Sequence, residues 1–495
     1  MVERVSTRTT PPPASTPSQQ KTFFGHPRVL GNLFGVEMWE RFSFYGMQGI
    51  LLIYLYYSAA KGGLGIDTAV ASGIVGAYGG AVYLSTILGA WISDRVIGPE
   101  RTLFYSAIVV MFGHLSLSLV PGLPGVGLGL VLIALGSGGV KANATALVGS
   151  LYDEHDERRD GGFSIFYMGI NIGALVGPLL TGLLQSDVGF HAGFALAAVG
   201  MFFGLVQYSI GRKNLPEETH HVPHPLAEGG GARFILTSVA ALVVVVGLLV
   251  TGVVSIASLA TVVAWVSGIA ALIYFVVILS SKEITHVERR RVYAFIPMFI
   301  ASAVFWSLYQ QQFTVVTIYS DQRLNRSIFG WEMPVSWVQS INPIFIIVLA
   351  GVFAAMWTKL GDRQPSTPAK FALGTISIGL SFWAFIPMAG GGAHSAPLLG
   401  LVGVLLLFTI SELLLSPVGL SLSTKLAPEK FHTQMVALFF LSIALGTAMS
   451  GLLSGYYDPK NEVPYFLWLG VAAIAVGVVL GLFTKPIRAL MSGVR

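Results

Sequence analysis

The chain has 495 residues, 54% of them apolar and 11% charged, with a formal net charge of +5 and a mean hydropathy of +0.73. A soluble chain carries about 25% charged residues, so a water-soluble enzyme or binding domain is excluded in favour of a protein threaded many times through a bilayer. There is no cysteine, which excludes disulfides and thiolate metal centres, and the basic residues fall in short loops, which fits membrane topology better than nucleic-acid binding.

Residues 1–22 are rich in Pro, Ser and Thr and lack an apolar core, so they read as a disordered cytoplasmic tail and not as a signal peptide. Fourteen apolar runs follow, each long enough to cross a hydrocarbon core, which needs about 20 residues. Six lie in 23–211. The polar, His-containing stretch 212–232 reads as a cytoplasmic linker, and its histidines as solvated rather than metal-binding. Residues 233–280 hold two runs with no charge after Arg233, read as an inserted hairpin facing lipid. A basic linker, 281–292, leads to six more runs in 293–484, and 485–495 is a second cytoplasmic tail. With the N-terminus placed inside, the inner segments carry 23 Lys and Arg and the outer loops four. That asymmetry puts both termini in the cytoplasm. The expected architecture is an all-α major-facilitator fold of 14 transmembrane helices (6 + 2 + 6), two pseudo-symmetric six-helix bundles around a midplane site.

Five charges lie within the apolar runs: Glu37, Glu40 and Arg41 in the first, Lys141 in the fourth and Glu412 in the twelfth. A charge near a bilayer centre costs about 2.5–3.5 kcal/mol on insertion scales, so these positions point to a pathway or pocket. At 100° per residue, Glu37, Glu40, Arg41, Phe44, Tyr45 and Gln48 share one face of the first helix. Two acids against one base leave one acid able to carry a proton. Between the second and third helices, GAWISDRVIGPER places Asp94, Arg95 and Arg101 where they can latch inner helix ends. Asn171 and Asn342 are polar groups within apolar helices, with Asn342 read at the middle of its helix beside Pro343. No histidine is read at a mid-membrane site of the first half, which argues against a histidine relay.

Several motifs agree on one family. E-x-x-E-R-F-S-F-Y-G in the first helix, GSGGVKANAT in the fourth, FSIFYMGINIGALVGP in the fifth and SELLLSPVGLSLSTKLAP in the twelfth resemble the proton-coupled oligopeptide transporters, POT or PTR. The resemblance spans both halves, and the two extra central helices resemble bacterial members. It implies a symporter, not an enzyme, with no cofactor other than the proton as coupling ion and no metal. It implies import of di- and tripeptides across the cell inner membrane by alternating access, as a monomer. Arg41 and Lys141 match residues that hold the peptide carboxylate. Asn171, Asn342 and Glu412 match those holding its amino terminus. Glu37, Glu40 and Arg41 match the proton-coupling group, and Phe44, Tyr45, Gln48, Tyr83, Trp306 and Gln310 line the pocket. The same fold carrying nitrate or another small anion, and a non-transporting peptide receptor, are the alternatives. The chain also departs from the family. Gln48 and Gln310 stand where many members carry an Arg–Glu pair, and they are expected to hydrogen-bond each other instead. Phe44 replaces a common Tyr. Gly76 stands where animal members have a His.

Overall fold

The computed structural model describes residues 22–153, 156–227 and 229–494. The tail predicted for residues 1–22 therefore lies outside the described residues, apart from Thr22, which opens a two-residue strand paired with His26–Pro27. The first bundle comprises α1 (Arg28–Tyr56), α2 (Thr68–Ile92), α3 (Pro99–Leu119), α4 (Gly122–Gly149), α5 (Arg159–Asp187) and α6 (Phe190–Gly211). The hairpin is α7 (Gly230–Val250) and α8 (Leu259–Ser280). The second bundle begins with α9 (His286–Tyr309), a short 3₁₀ turn and α10 (Val315–Gln322), which together make one crossing. It continues with α11 (Ile341–Leu360), α12 (Thr367–Trp383), α13 (Leu398–Lys425), α14 (His432–Ser454) and α15 (Glu462–Leu482), and ends in the short α16 (Thr484–Leu490). Thirteen of these stretches meet the length and hydropathy of a membrane span. The fourteenth crossing is α1, 29 residues long, whose Glu37, Glu40 and Arg41 hold its hydropathy down. Both ends of the described chain thus lie on one face, called near here, and the C-terminus of α1 on the other, the far face.

Local chemistry sets the helix ends. Asp67 caps α2, accepting from Ala69 N at 2.9 Å and Val70 N at 3.3 Å. Thr285 and Glu288 form a reciprocal capping box that starts α9. Asn342 is the second residue of α11 and not its middle. Residues 335–340 coil as a 3₁₀ turn, and Pro343 falls within the first α-helical turn, where its missing N–H removes no intrahelical bond.

The bundles meet along α2 and α14. Small residues make this seam: a methyl group built on Gly76 would stand 2.6 Å from Gly451 Cα, and one on Gly80 would stand 3.0 Å from Ala444 O. With no apolar driving force between helices in lipid, such close approach supplies the packing. The inserted hairpin divides its labour. α7 is open to lipid, with Leu236 70% and Val250 81% exposed. α8 does not simply face lipid as the sequence suggested. It buries Ala260, Ala264, Ser267 and Ala271 and packs against both α2 and α14, straddling the seam.

The linker 212–227 is docked rather than free. Arg212 reaches the fully buried Glu100 with contacts of 2.5 and 2.8 Å and lies 3.8 Å over the Phe104 ring. His220 stands 3.4 Å from the same carboxylate. Asp94 meets His224 at 2.7 Å and Arg95 at 3.4 Å, and Arg101 is exposed. The loop's charges therefore hold the linker, where helix-to-helix latching was expected. Glu100, overlooked in the sequence, is the anchor.

Gly76→Val tests the seam. Overpacking of this kind costs about 1–3 kcal/mol, so the thermal midpoint of purified protein should fall by several degrees. Gly268→Val, where a Cβ meets nothing within 4 Å, should leave it unchanged.

Candidate functional site

A cavity of about 210 Å³ lies between the bundles. Its wall includes Phe44, Tyr45 and Gln48 from α1, Tyr83 from α2, Lys141 from α4 and Asn171 from α5. The second bundle contributes Trp306, Gln310, Asn342 and Glu412. Tyr167, on the near half of α5, also lines it and is 47% exposed, so the cavity opens on that side. Asp94, Arg95 and Arg101 lie at the near face, away from it.

Lys141 projects its ammonium between two rings, 5.0 Å from the Phe44 centroid and 4.8 Å from that of Tyr83. Among the described residues no carboxylate forms an ion pair with it. Cation–π contacts of this kind contribute about 0.5–2 kcal/mol, far less than a full counter-charge, so the site retains an appetite for an anion. The Phe that replaces a Tyr here loses a hydroxyl but keeps the ring face that Lys141 uses.

Across the cavity, Tyr309 Oη donates to Glu412 Oε2 at 2.5 Å. Asn342 Nδ2 donates to Thr409 Oγ1 at 3.0 Å and to the same Glu412 oxygen at 3.4 Å. The acidic group is thus aimed from α13 and fixed by side chains of α9 and α11. Tyr309 escaped the sequence reading, although it lies three residues after Trp306 and so shares its helix face. Asn171 donates its Nδ2 to Tyr167 O at 2.9 Å, which leaves its oxygen for the cavity.

Glu37, Glu40 and Arg41 are behind the wall, not on it. Arg41 Nε donates to Glu37 Oε1 at 2.7 Å and lies 3.3 Å from Glu40 Oε2. Ser137 Oγ donates to Glu40 Oε1 at 2.7 Å, linking α1 to α4. All three charged residues are at most 4% exposed, and Glu37 Oε2 and Glu40 Oε2 lack hydrogen-bond partners. The cluster is under-satisfied on the acid side, as two carboxylates around one guanidinium require. Burial of such a group without full pairing is costly.

The expected Gln48–Gln310 bond is absent among the described residues. Gln48 Oε1 is buried without a partner, and Gln310 lies beside Tyr83. After Tyr309 the chain leaves the α-helix and enters a 3₁₀ turn at Gln310. One buried histidine was also overlooked. His114, in α3, is 0% exposed and neither ring nitrogen has a partner, but it is not part of the cavity wall.

The far end is sealed by five side-chain hydrogen bonds between the bundles. Tyr56 and Tyr57 each donate to Asp321 at 2.6 Å. Ser336 donates to Pro178 O at 2.9 Å, Trp337 Nε1 to Leu179 O at 3.0 Å and Ser340 to Leu175 O at 2.8 Å. A polar cavity between two six-helix bundles, closed at one end and open toward the other, defines a membrane transporter of the major-facilitator type. Residues 100–469 match the model of the POT family, and the chain belongs to that family. It is 43% identical over 482 residues to an uncharacterized transporter of Bacillus subtilis, covering 96% of this chain and 97% of that one. It is 40% identical over 490 residues to a di-/tripeptide transporter of Lactococcus lactis, covering 96% and 99%. A solved mutant of a POT peptide transporter in complex with alafosfalin superposes with a TM-score of 0.90 at 44% identity, covering 96% and 98%. A POT family transporter in complex with 5-aminolevulinic acid gives 0.88 at 38%, covering 94% and 98%.

Removing both phenols of the seal should loosen it. Hydrogen bonds to charged groups are worth about 1.5–3 kcal/mol each, so Tyr56→Phe/Tyr57→Phe should raise labelling of Gln312→Cys by a membrane-impermeant maleimide from the far face at least about tenfold. The chain has no native cysteine, which makes the readout specific.

Proposed function

We propose that the protein is a proton-coupled symporter that imports di- and tripeptides by alternating access. The observation that carries this reading is the pairing of opposite charges across one cavity. Lys141, without a carboxylate partner, belongs to the first bundle, and Glu412, aimed by Tyr309 and Asn342, belongs to the second. A peptide zwitterion offers a carboxylate to the first and an ammonium to the second. Its binding therefore joins the bundles. Nitrate or another lone anion would leave Glu412 unanswered, and the relatives named as di-/tripeptide transporters support the peptide reading.

The proposed cycle uses the α1 cluster as its switch. With the far end sealed and Arg41 gripped by Glu37, the described state follows release of proton and substrate. A proton taken by Glu37 or Glu40 weakens the grip on Arg41, which then joins Lys141 at the peptide carboxylate. Arg supplies a two-pronged hold, while Lys supplies a compact charge that lets go. Glu412, with Asn342 and Asn171, takes the amino terminus. With both termini cytoplasmic and the protein in the cell inner membrane, the far face is outside. One proton falling through a potential of about 100 mV supplies about 2.3 kcal/mol, enough for roughly 50-fold accumulation. The protein works as a monomer in this scheme, because the cavity is complete within one chain.

The test is uptake of labelled dialanine into liposomes, with an acidic exterior and an inside-negative potential. Glu37→Gln or Glu40→Gln should reduce driven uptake by at least about tenfold, the loss of one charge-coupled switch, while peptide counterflow survives. Retention of driven uptake in both variants would overturn the coupling assignment. Lys141→Ala should weaken dialanine binding by about 10- to 100-fold, the worth of one charge-assisted bond. Competition by nitrate but not by dialanine would favour the anion reading instead.

A further inference from the structure

The part of the cavity beneath the far seal is lined by amides. Gln48, Gln310, Gln312 and Gln339 all face it, each at most 8% exposed. Gln48 lies one turn beyond Phe44 along α1, toward the sealed end. Gln339 sits in the 335–340 turn that also carries the seal residues Ser336 and Trp337. Both line the same cavity, and Gln339 Oε1 approaches α1 at the residue after Gln48, 3.7 Å from where a Cβ on Gly49 would stand. Gln339 commits its nitrogen to Thr317 Oγ1 at 3.3 Å. The carbonyl oxygens of both Gln48 and Gln339 are buried and have no donor. The charged residues of the wall are engaged elsewhere, Lys141 by its two rings and Glu412 by Tyr309 and Asn342.

We propose that Gln48 and Gln339 form a side-chain subsite that prefers an uncharged hydrogen-bond donor, above all a carboxamide, on the transported peptide. The subsite rests on the peptide reading above. A carboxamide nitrogen carries two hydrogens and meets two acceptors. An aliphatic side chain of the same size leaves both oxygens unpaired, and sites built on buried polar groups discriminate strongly against such a substrate. A carboxylate brings negative charge against two carbonyl oxygens. An ammonium brings a charge into a corner that offers no counter-charge. An Arg–Glu pair at positions 48 and 310, which the resemblance gives to many relatives, would make this corner ionic. This chain makes it neutral.

The experiment uses the full-length protein in liposomes and inhibition of labelled dialanine uptake by near-isosteric peptides. These are Ala-Asn, Ala-Leu and Ala-Asp, together with Asn-Ala, Leu-Ala and Asp-Ala. Wild type is compared with Gln48→Met and Gln339→Met, which keep the side-chain length but remove the acceptor. The quantity read is the Leu/Asn ratio of half-inhibition concentrations. At one of the two peptide positions it should fall by about threefold or more in at least one variant, the worth of one neutral hydrogen bond. In wild type the Asp peptide should be the weakest competitor at that position. Should a variant lose uptake, the same ratio is read from binding of the six peptides to the purified variant. Smaller changes in both variants at both positions overturn the subsite, as does an Asp peptide competing as well as its Asn counterpart there. If wild type takes up no dialanine, the peptide reading itself falls and the subsite falls with it. Dialanine uptake with unchanged ratios removes the subsite alone.

Discussion

Arg41 is held between two carboxylates of its own helix, cut off from water, in a cluster with one acid more than its base can balance. Everything around it is arranged so that this can persist. α1 is wrapped by α2, α4, α5 and α6, so the charges never meet lipid. Ser137 on α4 supplies one of the missing donors to Glu40. A buried ion cluster is weak evidence for stability in general. Its value lies in the proposed cycle, where Arg41 is captured or released and one proton separates the two settings.

The cluster is useful only because the cavity lies directly in front of it. Lys141 stands on the wall with aromatic faces as company, a cheaper environment than bare hydrocarbon but a poorer one than a carboxylate. Glu412, on α13 of the opposite bundle, is tethered by side chains from two further helices, α9 and α11. Charges of opposite sign, each incompletely satisfied and carried on different rigid bodies, make any bridging ligand a cross-link. The far seal uses neutral donors on α1 and one carboxylate, Asp321, on α10. Arg326 stands 3.8 Å from the same carboxylate. The glycine seam between α2 and α14 allows the bundles to touch backbone to backbone.

Much of this was legible in the sequence because membrane insertion makes charge expensive and hydropathy informative. The fourteen crossings, the six-plus-two-plus-six order and the polar face of α1 all follow from spacing alone. The motifs around Glu40–Arg41, Asn171 and Glu412 brought the family with them. Tyr309 was missed because a tyrosine within an aromatic-rich helix is indistinguishable from a packing residue until its hydroxyl is seen on Glu412. Glu100 was missed because a carboxylate in a loop looks solvated until the linker folds over it. The Gln48–Gln310 bond was expected because positions that carry paired charges in relatives lie close together. Proximity of backbones did not ensure contact: Gln310 lies against Tyr83, and Gln48 Oε1 is left without a donor.

The sequence by itself determined which residues must leave water, which faces of the helices stay polar and which loops stay on one side. These are one-dimensional consequences of transfer free energy and helical period. Only the tertiary structure decided that Arg41 is withdrawn while Lys141 is presented. It also decided that α8 leans on both sides of the seam, that the far end is the closed one, and that two amide oxygens are left without donors beneath it. Those facts depend on how two bundles are set against each other, and several settings of the same helices satisfy the same hydropathy. The choice among them rests on a few hydrogen bonds and close glycine contacts between residues far apart in the chain.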